Sequence, residues 1–340
     1  MISSKASRLH ELYKTKPFEF HANDLAYDCY LQIARSFHPG LELFYASGSF
    51  ADHYMFCSLL CELSRQYPER DFRVLTNRHY SSLYRSFSLD SKLVTLPDNA
   101  CHLLSHYYRL SLDWLKSEYA IKPLLGVYYP LLPSMCTQQG SVQALDIISR
   151  ILQIERTRPL IGQTDIGARA DLLDKSERYF GLDKRPRLLF FPTSNTLLDI
   201  DSSFWRLVFE GLTSMPISIV VASRGEATIG IDPAILFDIA PEDIVPLAAI
   251  ATLVVGAGNG AMHTVRMFAT TSTFTVIENP NNLYARAKDG RAVFLNSLSA
   301  DSYPGDYLVD TRLFPFNPIE DIASQARKLI SEIIEVARQN

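Results

Sequence analysis

The sequence predicts an α/β protein made of two doubly wound parallel-sheet halves in tandem, and three observations predict it. Short apolar runs alternate with helix-period segments, the pattern of parallel strands joined by crossover helices. The alternation occurs twice, with a helical or polar, charge-bearing stretch from about 141 to 180 between the two passages. At 340 residues the chain is long enough for two domains of roughly 150 residues each. The expected division is 1–175, 176–317 and a C-terminal helix over 318–340.

In chain order, "NDLAYDCYLQIARSF" (23–37) reads as a helix opening at Asn23 or Asp24 and stopped by "HPG". "LELFYAS" is a strand running into the helix "MFCSLLCELSRQY"; "FRVLTN" (72–77) and "KLVTLP" (92–97) are strands flanking a helix near "RHYSSLYRSF". "CHLLSHYYRLSLDWLKSEY" is a long helix and "PLLGVYYPLL" a further buried strand. The second passage reads "RLLFFPTS" (187–194), helix "SSFWRLVFEGLTS", strand "ISIVVASR" (217–224) and a helix near "PAILFDI". The apolar run "IVPLAAIATLVVGAG" ends in a buried strand and leads to a helix over "HTVRMFATT", then to strands "TFTVIEN" and "AVFLN". The last helix lies within "NPIEDIASQARKLISEIIEVAR", and Pro318 suits its start.

Composition narrows the classes. An apolar fraction of 47% and a charged fraction of 21% describe an ordinary protein with sizeable cores, and a net charge of −4 does not favour nucleic acid as a partner. Five cysteines, all within the first 136 residues and mostly in apolar surroundings, read as reduced thiols rather than a disulfide framework. "MISSKASRLHELYKTK" lacks the apolar core of a signal peptide, and no apolar run reaches the ~18–20 residues of a membrane span. The expected location is cytoplasmic, with peripheral attachment at the inner membrane face left open.

Two junctions carry the chemistry. In the first, a buried strand meets the polar run Ser47-Gly48-Ser49-Phe50-Ala51-Asp52-His53, at the place where an open α/β sheet presents groups to a ligand. In the second, a strand ends in Gly256-Ala257-Gly258-Asn259-Gly260 and a helix begins at about Ala261 to Thr264. Glycines allow close backbone approach there, and the N–H groups and dipole of a helix N-terminus favour a phosphate. The spacing G-x-G-x-G is not the dinucleotide fingerprint, and a tight turn without a ligand is the plain alternative. His102-x3-His106 places two imidazoles on one helix face, but neither an HExxH glutamate nor a third ligand accompanies them, so no metal site is expected.

"PLAAIATLVVGAGNGAMHTVRMFATTSTFTVIE" resembles the donor-site segment of heptosyltransferase-like glycosyltransferases with the GT-B fold, which read as "I..A...V..DTG..H.A.A.G.P...L". Asn259, Gly260 and His263 lie where that family places Thr, Gly and His, and Gly258 takes the place of its aspartate. "SFAD" followed by "YMFCSLLCELSRQYP" resembles the family's N-terminal "S.GD" and "..L..LR..P", with Ala51 in place of glycine. Together the two segments cover about a quarter of the chain.

The resemblance implies a GT-B-like, hexosyl- or heptosyltransferase-like enzyme of two Rossmann-type domains facing a cleft, the last helix packing back on the first. It would move a sugar from a nucleotide-sugar donor to a glycan, lipid-linked saccharide or glycoconjugate acceptor in bacterial surface-polysaccharide assembly. The reaction would invert and use no metal and no cofactor beyond the nucleotide-sugar substrate. Asp52 becomes the candidate base, with a helix N-cap as its structural alternative. The candidate donor contacts are Thr193, Ser194, Asn195, Arg224, Glu278, Gly258, Asn259, Gly260, Met262, His263 and Thr264, with Arg206, Arg286 and Lys288 as further cations. Two rivals stand beside this reading: a nucleotide-sugar epimerase or hydrolase of the same fold, and a non-catalytic nucleotide- or glycan-binding relative.

Overall fold

The computed structural model describes residues 18–48, 50–110, 120–125, 144–155, 174, 177–181, 186–193, 200, 202–222, 230–257, 260–268, 271–278, 311–317 and 319–339. Among them every strand pairing is parallel. The first unit runs α1 (Phe18–Arg35), β1 (Glu42–Ser47), α2 (Phe50–Gln66), β2 (Phe72–Asn77), α3 (Ser81–Ser86) and β3 (Leu93–Leu96). It continues with α4 (Asp98–Leu110), β4 (Ile121–Leu125) and α5 (Ala144–Leu152). Its strand order is β3-β2-β1-β4. Leu43 to Ala46 of β1 are all buried because helices cover both faces of the sheet. With the period of two, Phe44 and Ala46 join the cluster under α2 and α5, and Leu43 and Tyr45 join the one under α1 and α4.

The second unit runs β5 (Arg187–Phe191), α6 (Ser202–Thr213), β6 (Ser218–Ala222), β7 (Leu236–Phe237), α7 (Ile244–Ile250) and β8 (Leu253–Ala257). Then come α8 (Gly260–Phe268), β9 (Thr273–Glu278), β10 (Thr311–Phe316) and α9 (Ile322–Gln339). The sheet order is β10-β9-β8-β5-β6-β7. Leu188 and Phe190 of β5 face the α6 and α9 side, while Leu189 and Phe191 face α7 and α8.

Several expectations need correction. The helix expected near "PAILFDI" is one 3-10 turn, Pro233–Ile235, in which Asp232 accepts from the Ala234 N–H at 2.9 Å; the chain then pairs with β6 as a two-residue strand. "IVPLAAIATLVVGAG" divides into α7 and β8, and between them the Thr252 hydroxyl accepts from the Arg187 N–H at 3.0 Å at the start of the central strand pair. β4 starts at Ile121, two residues before "PLLGVYYPLL", and the strand expected at "AVFLN" lies outside the described residues. β10, "TRLFPF", was not expected; its Pro315 is tolerated because β10 occupies the edge of the described sheet. The last helix begins at Ile322, where Asp321 Oδ2 accepts from the Ser324 N–H at 2.8 Å and so caps it; Pro318 lies outside the described residues.

That helix also packs differently from expectation. Ala326, Leu329, Ile333 and Val336 of α9 are buried in one cluster with Phe204, Trp205 and Val208 of α6. Its apolar stripe is matched by that of α6 over the same sheet face, so it completes the second unit rather than returning to the first.

The units touch through α2 against α8 and α3 against the turn Pro241–Asp243, where the Ser82 hydroxyl donates to Glu242 Oε2 at 2.8 Å. Sequence-adjacent strands depart in opposite directions between β1 and β4 and between β5 and β8. These are topological switch points, beyond whose carboxyl ends open α/β sheets hold their ligands.

A β-carbon on Gly256 would fall 2.8 Å from the Phe191 carbonyl oxygen and 2.7 Å from Met262 Sδ. The carbonyl belongs to the paired strand and cannot yield. Gly256→Ala is therefore expected to destabilise the fold by about 1–3 kcal/mol in urea unfolding. Gly40→Ala, whose new atom would meet nothing nearer than 3.5 Å, is expected to stay within about 0.5 kcal/mol of the parent.

Candidate active site

β1 delivers Ser47 and Gly48 to the first switch point, and α2 opens at Phe50. Asp52 is therefore the third residue of the helix and not its cap. It is 1% exposed, and a β-carbon built on Gly48 would lie 2.6 Å from its Oδ2. The carboxylate thus folds back onto the end of β1, and Gly48 is glycine because any side chain would collide with it. A carboxylate in a helix's first turn is favoured by the macrodipole. The close approach falls at Gly48 and not at Ala51, where the resembling family has glycine; Ala51 sits unremarkably in the first turn of α2.

Beside Gly48 opens a cavity of about 300 Å³, bounded by Ser47, His53, Asn77, Asp98, His102 and Ser105 among others; Asp52 is not among its walls. Its floor is tied to α4 through hydroxyls. The Tyr45 hydroxyl donates to the Cys101 carbonyl at 2.7 Å and lies 2.7 Å from Ser105 Oγ, which lies 3.2 Å from Ser47 Oγ. Asn77 accepts from the His79 N–H at 2.6 Å and donates to Asp98 at 3.3 Å. His53 is 2% exposed, stacks on Tyr80 with centroids 3.8 Å apart, and places Nδ1 3.0 Å from the Tyr84 hydroxyl. Burial, aided by the nearby His79, pulls its pKa down to about 3, so the ring is neutral at physiological pH.

In the second unit, β8 and α8 supply the other junction. Met262 is buried against Gly256 in the core with Val265, and the Thr264 hydroxyl, fully buried, donates to the Gly260 carbonyl at 2.8 Å. Both are candidate donor contacts from the sequence; in the fold Met262 packs in the core and the Thr264 hydroxyl bonds back within its own helix. Gly260 opens α8, and His263 lies within its first turns. Thr193 follows β5, and Glu278 ends β9 paired with Phe316 of β10. Gly258, Asn259, Ser194, Asn195, Arg224, Arg286 and Lys288 lie outside the described residues. Arg206 sits on an exposed face of α6, 3.8 Å from Glu210.

Other constellations resolve as packing. His106 Nε2 meets Asn23 Oδ1 at 2.9 Å, and among the described residues no three His, Cys, Asp or Glu side chains cluster as metal ligands do. Cys29, Cys57, Cys61 and Cys101 are free thiols; burial pushes Cys61 up to about 12 and Cys101 up to about 11. Among the described residues no helix is long and apolar enough to cross a membrane.

No family model matches the sequence, and no curated protein matches it. Solved structures do. E. coli ADP-heptose LPS heptosyltransferase II aligns over 88% of this chain and 99% of its own, with 12% identity and a TM-score of 0.50. The chain has the GT-B fold. E. coli heptosyltransferase WaaC with ADP-2-deoxy-2-fluoro heptose aligns over 86% of this chain and 99% of its own, at 12% identity and a TM-score of 0.48. At these identities the likeness establishes architecture alone.

In this GT-B frame, the chain brings Gly48 and Asp52 to one switch point and the start of α8 to the other, with α2 and α8 in contact. The reading from sequence missed the cavity residues Asn77 and Asp98. Their signal was present: Asn77 ends β2, and Asp98 opens α4 just past β3.

Burial of His53 has a pH consequence. The unfolded chain protonates this imidazole below about 6.5, whereas the folded one resists until about 3. The unfolded state then holds the extra proton, so stability falls as pH drops through that window, by up to about 1.4 kcal/mol per pH unit. Urea midpoints between pH 7 and 4 should show that slope in the parent and a shallower one in His53→Gln; equal slopes would assign it elsewhere.

Proposed function

We propose that the protein is a glycosyltransferase that moves a sugar from a nucleotide-sugar donor to a glycan, lipid-linked saccharide or glycoconjugate acceptor. The observation that carries this reading is the meeting of the two strand-to-helix junctions. Each follows a switch-point strand, and Phe50, opening α2, packs against the cluster holding Met262 and Val265 of α8. A donor diphosphate at the N-terminus of α8 would meet backbone N–H groups and a favourable dipole. The acceptor's hydroxyl would come from the first unit's side.

In that arrangement an acceptor oxygen attacks the anomeric carbon, the bond to the diphosphate breaks, and the configuration inverts. Asp52 takes the hydroxyl proton, and the α8 N–H groups carry the charge that develops on the departing phosphate. Asp52 lies against Gly48 at 1% exposure, so the packing around the end of β1 must open before an acceptor reaches it. The work is assigned to helix dipole and N–H groups without a metal, and to surface-polysaccharide or glycoconjugate assembly.

Asp52→Asn keeps the shape and removes the base. Turnover with a panel of sugar nucleotides and saccharide acceptors is expected to fall by about 10²–10⁴-fold, the usual worth of a positioned acid or base, with donor affinity little changed. Gly260→Val, which crowds the backbone at the start of α8, is expected to weaken nucleoside diphosphate binding in a folded variant; unchanged affinity would remove the turn from the site.

The burial of Asp52 also favours a second reading, a non-catalytic nucleotide- or glycan-binding relative in which the carboxylate only shapes the loop. In that case nucleotide sugars raise the thermal midpoint, no acceptor yields product, and Asp52→Asn changes nothing but stability.

A further inference from the structure

The cavity beside Gly48 has a chain of hydroxyl contacts that ends on a backbone carbonyl. A carbonyl cannot donate, so the Tyr45 hydroxyl spends its hydrogen on the Cys101 oxygen. Across the 2.7 Å contact the donor is then Ser105, and across the 3.2 Å contact it is Ser47. The chain runs one way, Ser47 to Ser105 to Tyr45 to Cys101. Ser47, at the head of this chain and on the cavity wall, can accept through its lone pairs there.

Charge agrees with this polarity. The exposed carboxylate of Asp98 stands on the wall, and among the described residues around the cavity there is neither lysine nor arginine. His53 is neutral and held by Tyr84 and Tyr80. Donors on the described wall include Asn77 Nδ2, already turned to Asp98, the exposed His102 and the Tyr80 hydroxyl. At about 300 Å³ the space lies at the lower end of the roughly 300–1,000 Å³ of small-molecule sites, room for a single saccharide ring rather than an extended oligosaccharide.

We propose that this cavity is the acceptor subsite and that it takes a saccharide unit without an acidic group, one whose hydroxyls or amine donate to Ser47 and Asp98. The proposal rests on the glycosyltransferase reading for its role and on the wall chemistry for its selectivity. A carboxylate or phosphate on the sugar would face Asp98 and the serine lone pairs with no lysine or arginine among the described wall residues to answer it, so selectivity comes from repulsion as much as from attraction.

Saturation-transfer NMR without any donor tests this directly, using methyl glycosides of matched stereochemistry that carry a neutral, 2-amino or uronic acid ring, and a sugar 6-phosphate. Neutral and amino rings should bind, and the uronic acid and phosphate should bind at least tenfold more weakly. Asp98→Lys, at an exposed position that tolerates the change, should shift the preference toward the uronic acid by about tenfold. Ser47→Ala should weaken the neutral ring, with a matching loss of transfer to its hydroxyl-bearing carbons. Equal or tighter binding of the acidic sugars, no binding of any ring, or a preference untouched by Asp98→Lys would overturn the proposal. Since neither donor nor turnover enters the measurement, a protein without transferase activity can still pass it, and an active one can fail it.

Discussion

Phe50 of α2 packs against the core of the second unit, and Val245 of α7 is buried among Phe44, Tyr54 and Leu83 in the core of the first. This exchange of apolar side chains sets where the two sheets face one another. It brings the first turn of α2 to α8, so the strand ends that open sheets use for ligands share one cleft. Val245, fully buried, is worth on the order of 1.5–3 kcal/mol, and the partly buried Phe50 less. The Ser82–Glu242 hydrogen bond lies at the same seam and adds direction to the contact.

Within each unit the same local solution recurs with different chemistry. A glycine within one residue of the end of a switch-point strand leaves room for the third residue of the following helix to fold back onto it. In the first unit the pair is Gly48 and Asp52, a carboxylate held at a helix N-terminus; in the second it is Gly256 and Met262, a thioether filling the core. The contrast suits a division of labour. The first junction holds a group able to accept a proton, and the second holds an apolar prop under a helix start whose N–H groups remain the chemical feature.

The strand and helix order was legible because apolar runs of four to six residues alternate with helical periods, and β2 and α6 fall almost residue for residue where expected. The errors share a cause: tertiary context decided between alternatives that local pattern left equal. "PAILFDI" looks helical, but one cap at Asp232 and a partner strand claim it. α9 shows a strong stripe, but only the matching face of α6 tells which unit it covers. For the site, the glycine-rich and "SFAD" segments mark two strand-to-helix junctions, since strand ends followed by small residues are visible in one dimension. The roles of Met262, Thr264 and Gly48 depend on what lies above them and were not. The meeting of the cavity hydroxyls was hidden for the same reason, since Ser47 and Ser105 are 58 residues apart in sequence.

The central claim is that the two junctions form one ligand site across the α2–α8 seam. Hydrogen–deuterium exchange with and without ADP, UDP and GDP at saturating concentration measures it most directly. The account predicts that a bound nucleoside diphosphate slows exchange at the start of α8 and, in the same titration, alters exchange in the first turns of α2, which carry Asp52. Protection confined to residues far from 256–264, or a change at α8 with none in α2 at full saturation, would contradict it.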